Sequence, residues 1–394
     1  MPRRGLAALA LGALVALSAC APQASGPSFP PTSGYGALPA QPPQPPREKV
    51  AVLLPLTGPQ AALGPELLNA AQLALFEQGG PGFEFLPRDT GGTASGAADA
   101  ARRAIAEGAR VIVGPLTGPE TAAVAGPAQG AGVPVLPFTN DASQASGHVW
   151  PLGLTLDQQV RRVAGAAHEA GVRRFGLAAP DNALGRQMAT ALRGAARDLG
   201  LAAPVVELYP AAAQPGLIAR EIAGRIGAGV DAPPDSAVEM LLLGESGARA
   251  RDFAAGLVAA GAAVPPLRLA GHALWGSDES LTQQPALAGA WFPGPDPAAR
   301  SQFDRRYEAA FGSRPARLVG VAYDAAALAA RAMRNASPGV PPVMPVGETV
   351  LGADGALRLN PDGQVQRALA VYALSPGAAP ATVAPAELPG STGF

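Results

Sequence analysis

The sequence predicts an α/β protein of two lobes, each a mostly parallel sheet flanked by helices. From Lys49 onward, short β-branched runs alternate with helical segments, the pattern of parallel strands covered by helices. The chain has 394 residues, more than the ~250–300 beyond which one hydrophobic core stops growing. The strand–helix units also fall into two groups, separated by stretches without periodicity at His148 to Thr155 and near Trp291, where the chain crosses and returns.

The best-defined unit runs from Ala109 to Asp141. Val111, Ile112 and Val113 form a β-branched run that reads as a buried strand. Gly114, Pro115 and Gly118 break it. Pro119 suits the first position of a helix, where its missing N–H would be unpaired anyway. Glu120 stands in the first turn, where the positive end of the helix dipole favours it. The helix is expected to end near Gly130 and Gly132, with Val133, Val135 and Leu136 in the next strand, which makes a parallel βαβ unit. The pentapeptide Pro115-Leu116-Thr117-Gly118-Pro119 repeats Pro55-Leu56-Thr57-Gly58-Pro59, which follows the strand-like run Val50 to Leu54. Both copies lie past the carboxyl end of a strand, where open parallel sheets bind ligands. They read either as two similar walls of one crevice or as a turn suited to a chain with 49 Gly and 43 Pro.

In order, the first group adds a helix over Leu63 to Gln78, a strand over Phe83 to Leu86 and a helix over Ala94 to Glu107. The second group has helices at Asp157 to Ala170, Leu184 to Leu199, Leu217 to Ile226 and Ala248 to Ala260. Its strands fall at Arg174 to Ala178, Val205 to Leu208, Val238 to Leu243 and Leu267 to Ala270. Gly289 to Pro293 reads as a second crossover, followed by helices at Pro297 to Phe311 and Arg317 to Arg334. Leu351 to Leu374 carries Asp-Gly and Pro-Asp-Gly turns between strand-like runs, a hairpin signal. The Pro/Ala-rich end from Pro376 is expected to fray.

The N-terminus reads as a targeting segment. Met1-Pro2-Arg3-Arg4 is basic, and Gly5 to Leu17 is apolar and too short to span a bilayer comfortably. Leu17-Ser18-Ala19-Cys20 resembles the bacterial lipobox, whose Cys is lipidated. Cys20 is the only cysteine, so an intramolecular disulfide is excluded. Ala21, not Asp, follows it, which points to the outer membrane. Ala21 to Glu48 holds nine prolines and reads as a tether, reaching at most roughly 90 Å at ~3.1 Å per residue. The expected domains are a signal peptide at 1–19, the lipidated Cys and tether at 20–48, a body at 49–376 and a flexible tail at 377–394. Within the body, lobe 1 takes about 49–148 and 295–343, and lobe 2 about 155–290 and 345–376. A net charge of −1 gives no basic field for nucleic acid. The single lysine, Lys49, removes most Lys chemistry, including a P-loop lysine.

Several fragments together resemble the branched-chain amino-acid receptor family, with its type I periplasmic binding protein fold. They are Val52 to Pro59 with Gly64, Asp89-Thr90-Gly91-Gly92-Thr93, Val111 to Pro115, Val133-Pro134-Val135, Tyr323-Asp324-Ala325, and Gly352 to Gly363. The resemblance implies two lobes that close on a ligand, joined by three hinge crossovers. It also marks departures. Receptors of that family place a Ser where Gly118 stands. They hold the ligand carboxylate with small and hydroxyl residues where this chain has Thr139, Asn140 and Asp141, and Asp141 would repel a carboxylate. They bind the ligand ammonium with an acid where this chain has His272, Ala273 and Leu274. With the amino-acid positions altered, the chain is similar to the penicillin-binding protein activator lipoproteins, through Gly271 to Trp275 and Leu287 to Phe292. That similarity implies a peptidoglycan synthase, a class A penicillin-binding protein, as partner. The alternative is a substrate-binding protein that delivers an amino acid, amide or related solute to an ABC permease.

The expected ligand or partner cleft comprises Thr57, Gly58, Thr117, Gly118, Thr139, Asn140, Asp141, His272, Trp275 and Tyr323. Trp150, Trp275 and Trp291 read first as packing at hinges, and Tyr323 as packing or as a hydrogen-bond partner. The three histidines offer no pair at metal-ligand spacing. Gly244-Glu245-Ser246-Gly247 lacks the second Gly of a nucleophile elbow, and no dinucleotide fingerprint follows a strand. No enzyme, cofactor or metal is expected.

Overall fold

The computed structural model describes residues 48–79, 83–228, 237–334, 336 and 340–390. The signal segment, Cys20 and the tether lie outside the described residues, apart from Glu48. Lobe 1 opens with β1 (Glu48–Leu54), α1 (Gly64–Gln78), β2 (Phe83–Asp89), α2 (Ala94–Ala106), β3 (Ala109–Val113), α3 (Gly118–Ala131) and β4 (Val135–Leu136). Its sheet is parallel throughout, in the order β2-β1-β3-β4. Successive strand residues point to opposite faces, and both faces are apolar. Val50, Val52, Leu54, Val111 and Val113 face one core, while Ala51, Leu53 and Ile112 face another with α2 and α3. The boundaries of α3 follow its sequence signals. Thr117 and Glu120 form a reciprocal capping box, and Gly132 ends the helix in the left-handed region at φ 66°.

The chain crosses at Val149 to Thr155 into lobe 2. There follow α4 (Leu156–Glu169), β5 (Phe175–Pro180), α5 (Ala183–Asp198), β6 (Val205–Tyr209), α6 (Pro215–Ala223), β7 (Met240–Leu243), α7 (Gly247–Ala259), β8 (Arg268–Ala270) and β9 (Trp291–Gly294). It then returns to lobe 1 for α8 (Pro297–Phe311), α9 (Gly320–Met333), β10 (Thr349–Gly352), β11 (Gly355–Leu359) and β12 (Val365–Arg367). A third crossing leads back to β13 (Leu369–Ala373) and β14 (Ala381–Glu387) in lobe 2. The lobe 2 sheet runs β14-β13-β9-β8-β7-β5-β6, parallel from β6 to β9 and antiparallel at its β13–β14 edge. Met240 and Leu242 face the α4–α5 side, and Leu241 and Leu243 the α6–α7 side.

Two sequence expectations need correction. Residues 349–367, assigned to lobe 2, form the three-stranded antiparallel sheet β10-β11-β12 against lobe 1. Val350, Leu357, Leu359 and Val365 join the same core as α1 and α9. The alternation showed a hairpin, but not which lobe its apolar face would cover. The tail expected to fray from Pro376 instead supplies β14, which pairs with β13 and buries Ala384. Strand pairing compensates there for a composition that reads as loop. α9 is buried all round except at Arg331, Arg334 and beyond. Its run of alanines lets it sit between the main sheet and β10–β12.

Three crossovers at one cleft

A cavity of about 620 Å³ lies between the lobes. It is lined by the β3–α3 loop (Leu116, Thr117, Gly118), by Phe138, Thr139 and Asn140 after β4, and by Leu156, Gln159, Leu184 and His272 to Leu274 from lobe 2. All three crossovers contribute: Leu152 to Leu154, then Gly294 and Pro295, then Arg367 to Leu369. Its position at the carboxyl ends of parallel strands is where open α/β sheets bind ligands, and its size suits a small organic solute.

The crossovers are tied to one another. Arg367 Nε donates to Leu152 O at 2.8 Å and its Nη1 to Asp324 Oδ2 at 2.8 Å. Gln158 Nε2 donates to Val365 O. Trp150 Nε1 donates to Asn360 O at 2.8 Å, and Tyr372 OH to Pro295 O at 2.6 Å. Gly153 permits a close approach, since a Cβ there would stand 2.5 Å from Thr139 O. Asp324 is fully buried. Burial pushes its carboxyl up to about 6, against the opposing pull of Arg367 and the Ala353 amide. Arg367 Nη2 is buried with no hydrogen-bond partner among the described residues.

Of the expected cleft residues, Thr117, Gly118, Thr139, Asn140 and His272 come together on the cavity wall. Thr117 Oγ1 donates to Glu120 Oε2 at 2.7 Å. Thr139 Oγ1 accepts from the Asp141 amide at 3.1 Å. Asp141 is set back from the wall, its Oδ2 only 3.2 Å from where a Cβ on Gly118 would stand. Hydrogen bonds from Ser143, with a further one from Gln144, hold its carboxyl below the usual range, against a smaller desolvation effect. His272 is 4% exposed. Burial lowers its imidazole, and the Glu245 backbone and charge only partly offset this.

Four expected residues lie elsewhere. Thr57 Oγ1 donates to Asp89 Oδ2 at 2.6 Å, while Asp89 Oδ1 accepts the amides of Leu56, Thr57 and Gly91. Gly58, at φ 86°, packs so tightly that a Cβ would meet Gly91 O at 2.4 Å. The first pentapeptide is thus a closed structural turn, and only its second copy lines the cavity. Trp275 is 1% exposed in the lobe 2 core, its Nε1 donating to Glu245 O at 2.8 Å. An indole that large fills the space under β8 while its polar atom is satisfied, so it is packing and not cleft wall. Tyr323 donates to Glu77 and packs edge-on to Phe303 between α1, α8 and α9.

The sequence reading missed Gln159, Arg300, Arg317, Asp354 and Arg367, all on the cavity wall. Gln159 holds the lobe 2 loop in place, its Oε1 accepting from the Ala273 amide at 2.8 Å. Arg367 did leave a signal, because Val365, Arg367 and Leu369 share one side of an alternating run, and a charge there is misplaced unless it has a partner. Arg317 left none: the sequence places it at the start of a helix, and nothing local shows that this end meets the cleft. Among the described residues no group of three or more His, Cys, Asp or Glu side chains could hold a metal ion. No helix among them is long and apolar enough to cross a membrane.

The sequence pattern of the periplasmic binding protein family matches residues 48–375, and the chain belongs to that family. Membership implies a periplasmic location. No curated protein matches in sequence comparison. A Rhodospirillum rubrum protein provisionally named a branched-chain amino acid ABC transporter aligns with a TM-score of 0.74 at 20% identity, covering 86% of this chain and 100% of that one. The leucine-, isoleucine-, valine-, threonine- and alanine-binding protein of Brucella ovis, in a closed conformation, aligns at 0.62 and 19%, covering 87% and 93%. Full-length LpoA from Haemophilus influenzae aligns at 0.66 and 19%, covering 86% of this chain and 59% of its own. At these identities the likenesses show the fold: two α/β lobes of the type I periplasmic binding architecture.

Proposed function

We propose that this chain is a non-catalytic, lipid-anchored periplasmic receptor that binds a small solute between its lobes. The observation that carries this reading is the cavity itself, walled by both lobes and all three crossovers. Closing such a cleft removes apolar wall from water at roughly 25 cal/mol per Å², which is how a hinged pair of lobes couples binding to shape. Cys20 is the expected anchor, and an ABC permease the expected partner. Thermal unfolding against a fractionated periplasmic extract tests the reading. A solute at 100 times its Kd stabilises the fold by about 2.7 kcal/mol, and no fraction raising the melting temperature would count against it. Labelled fatty acid incorporated equally into wild type and Cys20→Ser would remove the anchor.

A second reading is favoured by the likeness to LpoA, by the proline-rich tether and by the altered amino-acid positions Gly118, Asp141 and Ala273. Here the body contacts a class A penicillin-binding protein and regulates peptidoglycan synthesis. Its test is association with purified synthases and their glycan polymerisation rate in the presence of this chain.

A further inference from the structure

The geometry points to a specific ligand class: a compact monocarboxylate with an apolar body and no α-ammonium group, its carboxylate held by the Arg317 guanidinium. This deepens the receptor reading and rests on it. Arg317 sits on the cavity wall in a short 3-10 turn just before α9. Its guanidinium makes no hydrogen bond or ion pair with any described residue, although its backbone O accepts from Arg300 at 2.9 Å. The nearby carboxylates that could neutralise it are already engaged. Arg300 holds Asp304 at 2.8 Å and Asp354 at 3.2 Å. Arg317 is exposed along part of its surface, yet partial loss of water around its guanidinium, and then the Arg300 charge, work against the cation. A free planar fork in such a place matches a bidentate carboxylate. Arg317 also reaches lobe 2: a Cβ on Gly276 would stand 3.0 Å from both Nη1 and Nη2. An anion bound there would therefore bridge the lobes.

The rest of the wall defines the rest of the ligand. Leu116, Phe138, Leu152, Leu184, Leu274 and Leu318 supply apolar surface. Among the described residues, Asp354 is the only carboxylate on the wall, and it is already paired with Arg300, so none of them offers a free acid for an ammonium group. His272, whose protonation burial opposes, carries no negative charge and does not substitute for one. At the opposite candidate position, Asp141 behind Gly118 repels a carboxylate, which leaves Arg317 as the anion's place. Elsewhere on the cavity wall, Arg367 Nη2 is a donor with no partner among the described residues, although the Arg367 charge itself is matched by Asp324.

The test is thermal unfolding and calorimetry of the full-length protein with butanoate, hexanoate, benzoate and 4-hydroxybenzoate, their primary amides, and leucine. Wild type is compared with Arg317→Gln and Arg317→Lys. Because the Arg317 side chain makes no bond that the fold needs, both variants should melt like wild type without ligand. The expected result is that at least one acid binds wild type, that its amide binds more weakly, and that Arg317→Gln loses about 10- to 100-fold in affinity, with Arg317→Lys in between. An amide that binds as well as its acid, or an acid indifferent to Arg317→Gln, overturns the inference while leaving the receptor reading standing. Leucine binding more tightly than every acid does the same. No response to any compound overturns the inference, and the periplasmic extract then decides the receptor reading separately.

Discussion

Arg367 Nη1 lies 2.8 Å from Asp324 Oδ2, in a pair whose side chains are 6% and 0% exposed. The pair joins α9, buried in lobe 1, to the third crossover, and the Arg367 Nε bond to Leu152 O adds the first. Breaking a buried pair leaves an uncompensated charge, a cost of about 3–5 kcal/mol. Arg367→Met should therefore lower stability by that amount in denaturant unfolding. Arg367→Met with Asp324→Leu should recover much of it, because the double variant buries no charge. A double variant no better than the single would show that the pair does not act as a unit.

The pH dependence of His272 has a definite sign. Burial lowers the folded-state value below the unfolded 6.5, so above that pH both states are neutral and the contribution is fully present. Below it the unfolded chain takes up a proton that the folded chain resists, and stability is lost as pH falls through the folded value. Asp324, pushed up to about 6, works the other way in an overlapping window. The difference between wild type and His272→Gln separates the two. Between pH 7.5 and 5.5 the variant should lose less melting temperature than wild type.

The two identical pentapeptides should respond differently to the same change. Thr57→Val removes a bond to Asp89 and should cost stability by about 1 kcal/mol without altering cleft binding. Thr117→Val removes the cap of α3, costs about the same, and changes the cavity wall, so it should shift affinity for a cleft ligand as well. Equal effects on binding would mean that both loops face the ligand.

This contrast shows how far the sequence could be read. Strand and helix order followed from periodicity, since Val50 to Leu54 and Val111 to Val113 are buried on both faces. Cleft residues that belong to strand ends, such as Thr117, Gly118 and His272, were legible because topology places those ends at the crevice. Identity of sequence did not mean identity of role: the Thr57 hydroxyl goes to Asp89 in a closed turn, while that of Thr117 goes to its capping Glu120 on the cavity wall. Arg317 and Arg367 come from the returning segments, whose position depends on which lobe β10 to β12 cover, and local pattern does not determine that. The Ala381–Glu387 strand depends likewise on a partner, β13, already in place.

Free leucine, isoleucine and valine should not bind tightly. Gly118 offers no hydroxyl, Asp141 opposes the carboxylate, and Asp354 is occupied by Arg300. Micromolar concentrations of these amino acids should leave the melting temperature unchanged. A rise of several degrees with any of them would restore an amino-acid receptor.

The central claim is that a solute occupies the cavity between the lobes. Its most direct test is the melting temperature of wild type and of Leu318→Trp, in which an indole enters the cavity from the lobe 1 wall, with and without periplasmic extract. The account predicts a rise of several degrees for wild type, lost in the variant. An equal rise in both proteins, or no rise in wild type while a purified synthase binds it, would contradict the account.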